Sequence, residues 1–353
     1  MSSIKAIEIG RYQVGPDQPP FIIAEMSGNH NQSLERALSI VDAAAKAGAH
    51  ALKLQTYTPD TMTLNYKKGE FIISDRTSLW YGNSLYELYT EAHTPWEWHE
   101  AIFKRCDEHG MVGFSAPFDS TAVDFLETLS VPLYKIASFE NADIPLIRKI
   151  AKTGKPIIMS TGTANLVELA ESVKAMREGG CENIILLKCT STYPAEPKDC
   201  NLLTIPHMSE LFECQVGLSD HTLGIGVAIA SIALGATVIE KHLTLSRAEG
   251  GVDSAFSLEP SEFQALVSES KRAWQALGKV TYECGEAEEK SKQYRRTLYA
   301  VKDINIGEEF TLENIRAIRP NKGLSPKYMD ILIGKKANRS IKKGTPLAWD
   351  LLN

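Results

Sequence analysis

Between residues 21 and 245 the sequence carries eight short apolar runs, rich in β-branched residues and separated by stretches of helical spacing. The runs are FIIAEM (21–26), HALKLQTY (50–57), MVGFSAPF (111–118), LYKIASFE (133–140), PIIMSTG (156–162), NIILLKCTSTY (183–193), QVGLSDH (215–221) and TVIEKHLTL (237–245). Between them lie segments such as SLERALSIVDAAAKAGA, WEWHEAIFKRCDEHG, LVELAESVKAMREGG and GIGVAIASIALG, and SEFQALVSESKRAWQALGK follows the last run. Strand and helix in alternation build βαβ units around a parallel sheet. Eight such units predict an α/β chain folded as a (β/α)8 TIM barrel. A doubly wound open sheet is the alternative, and no G-x-G-x-x-G follows the first run to support it.

The alternation stops at TYECGEAEEKSKQYRR (281–296), a charged stretch that reads as a linker. The barrel domain is therefore assigned to 1–280 and a small β-rich domain to 297–353. In the latter, DINIGEEFTLENI and SIKKGTPLAWDLL share an I-x-x-G turn and a closing apolar pair, which predicts a pseudo-duplicated unit. A second irregular region, 58–95, far exceeds the usual strand-to-helix connection of about 2 to 6 residues. Its aromatics Tyr66, Phe71, Trp80, Tyr81, Tyr86 and Tyr89 either anchor the excursion or make it a lid over the barrel mouth.

A formal net charge of -6 gives no general attraction for a phosphodiester backbone, and no basic patch supplies a local one, so nucleic acid is excluded as a partner. No apolar run approaches the roughly 18 residues of a membrane span, and the N-terminus lacks a signal-peptide pattern; a soluble, cytoplasmic chain with no membrane partner is expected. Cys106, Cys181, Cys189, Cys200, Cys214 and Cys284 form no C-x-x-C pair, against both a zinc ribbon and a disulfide framework.

In a (β/α)8 barrel the carboxyl ends of the strands carry the chemistry. Here every run ends in polar residues: Glu25; Lys53 and Gln55; Ser115; Lys135, Ser138 and Glu140; Ser160 and Thr161; Ser191 and Tyr193; Ser219 and His221; Glu240 and His242. Lys53 and Gln55, two apart, share a face. Two lysines among several hydroxyls at one mouth are the donors that a phosphate and a carboxylate require. A Schiff-base lysine is the competing reading of Lys53 or Lys135. His221 and His242 end adjacent strands, so imidazoles far apart in sequence face one space. Such a pair, with positions left for water and substrate oxygens, suits Mn, Fe, Co or Zn better than Mg. Asp220 and Glu240 either orient the rings or pair elsewhere.

FIIAEMSGNHNQS, ALKLQT, FSAPF, YKIASFE, PIIMSTG, CTSTYPA, GLSDHT and EKHLT resemble, in order and spacing, the motifs of the sialic acid synthase family. IRAIRPNKGLSP and the small C-terminal domain resemble its antifreeze-like (SAF) domain. GNHNQSLERAL, KLQTYTPDTMTLN, SLWYGNSLYELYTEAHTPWEWH and KCTSTYPAEP are most similar to the family's pseudaminic acid branch. The resemblance implies condensation of phosphoenolpyruvate with the open-chain aldehyde of an acylated amino sugar, giving a nine-carbon 2-keto acid and phosphate. In that branch the sugar is 2,4-diacetamido-2,4,6-trideoxy-L-altrose; legionaminic or N-acetylneuraminic acid formation is the alternative product, and a non-catalytic sugar-binding relative the third reading.

Carried over by motif, Lys53, Lys135, Ser138, Ser160 and Ser219 hold phosphoenolpyruvate, with Ser115 a further candidate. His221 and His242 match ligands of a divalent metal, Mn, Mg or Co, with Mn foremost. Glu25 matches an acidic residue acting with water. Gln55, Tyr193, Asp253 and Arg319 match sugar contacts, Arg319 being delivered by the SAF domain of the partner in a domain-swapped homodimer. The chain departs from the sialic acid branch at Ser191, where asparagine is common, and at Ala116, where threonine is common. Losing a long amide and a hydroxyl changes what that wall can bond, so N-acetylmannosamine is not carried over as substrate. The residues agree with this chemistry: the enol carbon is a weak nucleophile, so the aldehyde needs a Lewis acid, and a carboxylate such as Glu25 can position or deprotonate the water that captures C2 before phosphate leaves by C–O cleavage.

Overall fold

The computed structural model describes residues 4–353, which divide into two compact units, one ending at Gly278 and the other spanning Lys279–Asn353. In the first unit all eight predicted strands form. A short antiparallel hairpin, β1 (Ile7–Ile9) and β2 (Tyr12–Val14), precedes them. The barrel strands are β3 (Phe21–Glu25), β4 (Ala51–Thr56), β5 (Val112–Pro117), β6 (Tyr134–Ile136), β7 (Ile157–Ser160), β8 (Ile184–Cys189), β9 (Gln215–Asp220) and β10 (Val238–His242). They close in sequence order, with β10 pairing β3 and every neighbour parallel. The open sheet is thereby set aside.

Alternation along each strand sorts the side chains into two cores. One set points between strands and helices: Ile22, Ala24, Leu52, Leu54, Met159, Leu186, Leu218 and Ile239 lie there. Against them the helix Leu34–Ala47 lays Ala37, Ile40, Val41 and Ala44, small and aliphatic residues at helical spacing that let it approach the sheet closely. Ser33 caps that helix by accepting from the Arg36 amide, and Gly48, at φ 89°, ends it in a conformation costly for other residues. The other set points down the barrel axis. Phe21, Ile23, Ala51, Val112, Phe114, Leu133, Ile158, Ile185, Leu187 and Val238 fill its amino-terminal half, and Ile7, Ile9 and Val14 of the hairpin join the same cluster.

That hairpin escaped the sequence reading because its strands of three residues are too short to establish an alternation. Its turn places Gly10 at φ 55°, the left-handed conformation that tight hairpins demand. An apolar plug in the lower half leaves only the carboxyl-terminal half of the barrel free for polar side chains. Fully burying one Ile or Phe stabilises by about 1.5–3 kcal/mol, so this plug anchors the polar layer above it.

The second unit pairs β11 (Thr297–Ala300) with β12 (Ile315–Ile318) over its own core of Leu298, Phe310, Ile315 and Leu347. The predicted duplication has a physical counterpart. Ile304 and Ile341, at equivalent places in the two echoing segments, exchange backbone hydrogen bonds of 2.8 Å in both directions. Gly307 and Gly344, three residues on, both take positive φ, at 81° and 88°. Within the stretch read as a linker, Glu286–Ser291 forms a short helix. Among the described residues no helix is long and apolar enough to cross a membrane.

Candidate active site

Above the plug the inward-pointing positions turn polar. The register sets His242 beside Glu25 and Glu25 beside Lys53, a row across β10, β3 and β4. Lys53 and Lys135 are only 3% and 2% exposed, and each finds an internal counter-charge. Lys53 pairs with Glu25, and Glu240 Oε1 stands 3.8 Å from Lys53 Nζ and 3.4 Å from Lys135 Nζ. Ser219 donates to Glu240 at 3.0 Å, and Lys135 donates to Ser160 Oγ at 2.8 Å. Burial would raise the Glu240 carboxyl, yet the two lysines and the Ser219 hydroxyl hold it below the usual range. For Glu25 burial prevails over Lys53 and, with Glu240 nearby, drives its pKa up. Burial likewise draws Lys135 down. Two lysines against two carboxylates make a balanced cluster, so a multiply charged anion entering it calls for further positive charge.

The histidine pair stands beside this cluster. His221 and His242 have ring centroids 5.3 Å apart, and Phe256 packs on the His242 ring at 4.9 Å. His221 Nδ1 donates to the Thr190 carbonyl at 3.1 Å, the support that fixes a ligating imidazole with Nε2 outward. Burial lowers the His221 pKa while Cys189 and the Thr190 carbonyl raise it, and the balance lies above the ordinary histidine value; a cation on Nε2 displaces that proton. Burial, with the neighbouring cations adding to it, holds His242 well below the ordinary value and therefore neutral, and its buried Nδ1 has no hydrogen-bond partner among the described residues. An orphaned imidazole nitrogen on a ring 5.3 Å from a second, braced imidazole fits a divalent ion. Asp253 Oδ2 lies 3.9 Å from that nitrogen. Among the described residues no three His, Cys, Asp or Glu side chains are gathered as a closed set of ligands, so an ion held by the pair would keep positions for oxygens of water or substrate.

From His242 a cavity of about 670 Å³ opens outward. Its barrel side carries polar residues: Gln55, Ser138, Tyr193 and Asp253 all line it. The Tyr193 ring sits 4.5 Å from that of His221, and Asp253 accepts a hydrogen bond from Ser27 Oγ. Three contributors were not assigned roles from sequence. Glu140 lines the cavity, where burial pushes its carboxyl up to about 7, and its Oε2 has no partner among the described residues. Ser27 follows the first strand in a turn at φ 46°. Gly162 leaves room for the hydroxyls of Ser191 and Ser138, which a Cβ there would meet at 2.1 and 2.7 Å. The signal for Glu140 was present, since it ends YKIASFE among the polar strand-end residues.

Ser115 does not join this set. It pairs in register with Leu54, an outward-facing residue, and its Oγ lies 2.6 Å from Thr56 Oγ1 on the helix side of the wall. His99 Nδ1 faces the Pro95 carbonyl at 3.2 Å and must carry the proton there; burial keeps the ring neutral, its pKa lowered to about 4. Nε2 therefore accepts from Thr56, and Thr56 in turn accepts from Ser115. The Ser115 proton is thus committed away from the barrel axis, and the correction follows from strand parity: the inward neighbour is Ala116. Arg319 lies in the second unit, exposed, just after β12.

A family model described as the NeuB family matches residues 40–282, and one described as the SAF domain matches residues 295–353. The pseudaminic acid synthase of Campylobacter jejuni is 46% identical over 341 residues, covering 97% of this chain and 98% of the relative. That of Helicobacter pylori is 44% identical over 334 residues, covering 94% and 98%. Among solved structures, the N-acetylneuraminic acid (sialic acid) synthetase of Leptospira borgpetersenii in complex with citrate superposes with a TM-score of 0.73 at 30% identity, over 83% of this chain and 98% of that one. A closed parallel barrel, its polar cluster and these full-length likenesses converge: the chain belongs to the NeuB family of sialic acid synthases and carries a C-terminal SAF domain.

Proposed function

We propose that the chain is a pseudaminic acid synthase, condensing phosphoenolpyruvate with 2,4-diacetamido-2,4,6-trideoxy-L-altrose and releasing phosphate by C–O cleavage. The observation that carries the chemistry is one buried cluster in which Lys53, Lys135, Glu25 and Glu240 stand beside the His221–His242 pair. The choice of sugar is supported by relatives of that printed name at 44% and 46% identity.

Lys53 and Lys135, with hydroxyl donors from Ser138, Ser160 and Ser219, hold the phosphate and carboxylate of phosphoenolpyruvate. Ser160 accepts from Lys135, which leaves its own proton for the substrate. His221 and His242 hold the divalent ion, Mn in preference to Mg or Co, which supplies Lewis acidity at the aldehyde oxygen. The donor's methylene carbon attacks the aldehyde carbon, and a water directed by Glu25 adds to C2 as positive character develops there. Glu25 suits the role of proton acceptor because burial holds its pKa up. Gln55, Tyr193 and Asp253 orient the sugar on the polar side of the cavity.

A second copy of the chain completes the site in this reading, its Arg319 reaching the sugar in a domain-swapped homodimer. In support, the segments that follow four consecutive barrel strands, β6 to β9, expose large apolar side chains: Phe139 at 65%, Val167 at 67%, Leu203 at 77% and Leu223 at 65%. Such a rim favours cover by a partner surface. The reaction belongs in the cytoplasm, where phosphoenolpyruvate is available.

The test is a phosphate-release assay with phosphoenolpyruvate, divalent metal and a panel of acylated amino sugars. Preferred turnover of the trideoxy altrose is expected. Preference for the legionaminic precursor or N-acetylmannosamine would keep the chemistry and replace the sugar, and no turnover with any of them would favour a non-catalytic sugar-binding protein.

A further inference from the structure

The cavity has two unlike sides. The side facing the barrel presents Gln55, Tyr193 and Asp253, whereas the side formed by the 58–95 excursion presents Met62, Ile73, Trp80 and Leu88; of its two polar residues, Thr61 gives its proton to the Thr58 carbonyl at 3.0 Å and Tyr89 packs edge-on against Tyr57. This apolar side is held in place. Ile73 exchanges backbone hydrogen bonds with the far arm of a small hairpin, its amide donating to Asn83 O at 3.0 Å and its carbonyl accepting from Gly82 at 2.9 Å. Trp80 Nε1 donates to the Val252 carbonyl at 3.0 Å, which fastens the tip of that hairpin across the mouth. The indole has no second donor, so Trp80 offers the cavity only its carbon surface. The excursion thus forms a fixed, largely hydrocarbon roof opposite a hydrogen-bonding floor.

Chemistry fixes which end of a sugar meets the roof. The aldehyde carbon must reach the donor held by Lys53 and Lys135, and the cavity approaches that cluster at His242, which the register sets beside Glu25. Carbon 6 of the open chain, the carbon most remote from it, then lies outermost, where the excursion closes over. We propose that the roof of Met62, Ile73, Trp80 and Leu88 receives the methyl group at carbon 6 and makes the site selective for a 6-deoxy sugar over its 6-hydroxy counterpart. The inference rests on the sugar assigned above and adds which residues read it. A hydroxyl placed against these side chains gives up its water and gains no partner. Apolar pockets reject an added hydroxyl only modestly, so the expected discrimination is about 10- to 100-fold in kcat/KM.

The experiment compares phosphate release with 2,4-diacetamido-2,4,6-trideoxy-L-altrose and with 2,4-diacetamido-2,4-dideoxy-L-altrose, for the full chain and for Ile73→Thr and Met62→Gln. Met62→Gln keeps side-chain length and Ile73→Thr shortens the side chain by one carbon, each adding a hydrogen-bonding group, and a ratio of two kcat/KM values within one variant is independent of how much of it is folded. The ratio is expected to fall about three- to tenfold in each variant, with the KM for phosphoenolpyruvate unchanged. A native chain that turns over the trideoxy sugar with a ratio unaltered in both variants, or with no preference at all, overturns the roof and spares the proposed reaction. A native chain that rejects the trideoxy sugar while using N-acetylmannosamine overturns both.

Discussion

Lys241 and Asp220 face each other across β10 and β9, Nζ to Oδ2 at 2.7 Å, on the outer side of the two strands that carry His242 and His221 inward. Lys241 also donates to the Thr222 carbonyl at 2.6 Å, and Asp220 Oδ1 accepts from the amide and hydroxyl of Thr222 at 2.9 and 2.8 Å. Both side chains are essentially inaccessible, so removing one leaves a buried charge without its partner. Lys241→Met is expected to cost about 3–5 kcal/mol in chemical denaturation, and adding Asp220→Asn to recover part of that loss. A Lys241→Met variant within 1 kcal/mol of the native chain, by about the scatter of such measurements, would show that the pair does not brace these strands.

The imidazoles themselves contribute little to the core. His221 and His242 lie above the apolar plug rather than within it, and the orphaned Nδ1 of His242 loses no hydrogen bond on truncation. His221→Ala and His242→Ala should therefore abolish phosphate release while leaving the circular dichroism spectrum native, with a lower melting temperature from the lost packing on Tyr193 and Phe256 and, for His221, the lost bond to Thr190. Equilibrium dialysis with Mn checks the ligand role apart from activity, and each variant should bind more weakly by at least the roughly tenfold that losing a mere supporting partner of a ligand costs. Native-like turnover after chelation in either variant would contradict the assignment.

Two serines that look alike in the sequence are expected to behave differently. Ser160 shares the interior with Lys135, whereas the Ser115 proton is committed to Thr56 behind the wall. Ser160→Ala should raise the KM for phosphoenolpyruvate about tenfold, the value of one hydrogen bond to a charged group. Ser115→Ala should leave that KM unchanged and cost about 1 kcal/mol of stability instead. Steady-state kinetics and thermal melts on the two variants check the contrast, and equal KM effects would mean that the strand parity had been misread.

This contrast also marks how far the sequence could be followed. All eight barrel strands were legible because parallel strands buried on both faces read as continuous apolar runs. Their polar ends named the buried cluster of Glu25, both lysines and both histidines, and with it Gln55, Ser138, Glu140, Tyr193 and His242 of the cavity wall. The same continuity hides which way a side chain points, since inward and outward positions are equally apolar along FSAPF; Ser115 was placed by its neighbours in the motif, and only the register with Leu54 turns it outward. Gly162 and Ser27 were invisible for another reason. Gly162 acts by what it leaves room for, and Ser27 by a backbone turn that brings its hydroxyl to Asp253, a partner 226 residues away; neither effect has a local residue pattern.

His50 ends the series with a prediction on acid stability. Its Nδ1 accepts the amide of Ile22, the residue after Phe21 at the start of the first barrel strand, at 2.9 Å, so the ring must be unprotonated there. Phe21 stacks on it at 5.5 Å and Tyr12 meets it edge-on at 5.2 Å. Burial, with Arg11 adding a like charge, lowers its pKa from 6.5 to about 4. Because the folded value lies below the unfolded one, the stabilisation is complete above pH 6.5 and is lost as pH falls toward 4, where the unfolded chain binds the proton and the folded chain refuses it. His30 and His99, lowered to about 4 by burial, act in the same direction. His50→Asn keeps an acceptor for Ile22 and removes the titration. Its denaturation free energy should therefore fall less steeply than the native chain's between pH 6.5 and 4, by up to about 3 kcal/mol across that window. Parallel pH profiles for the two proteins would mean that the His50 ring is protonated as readily folded as unfolded, and that its bond to Ile22 contributes nothing to holding the strand.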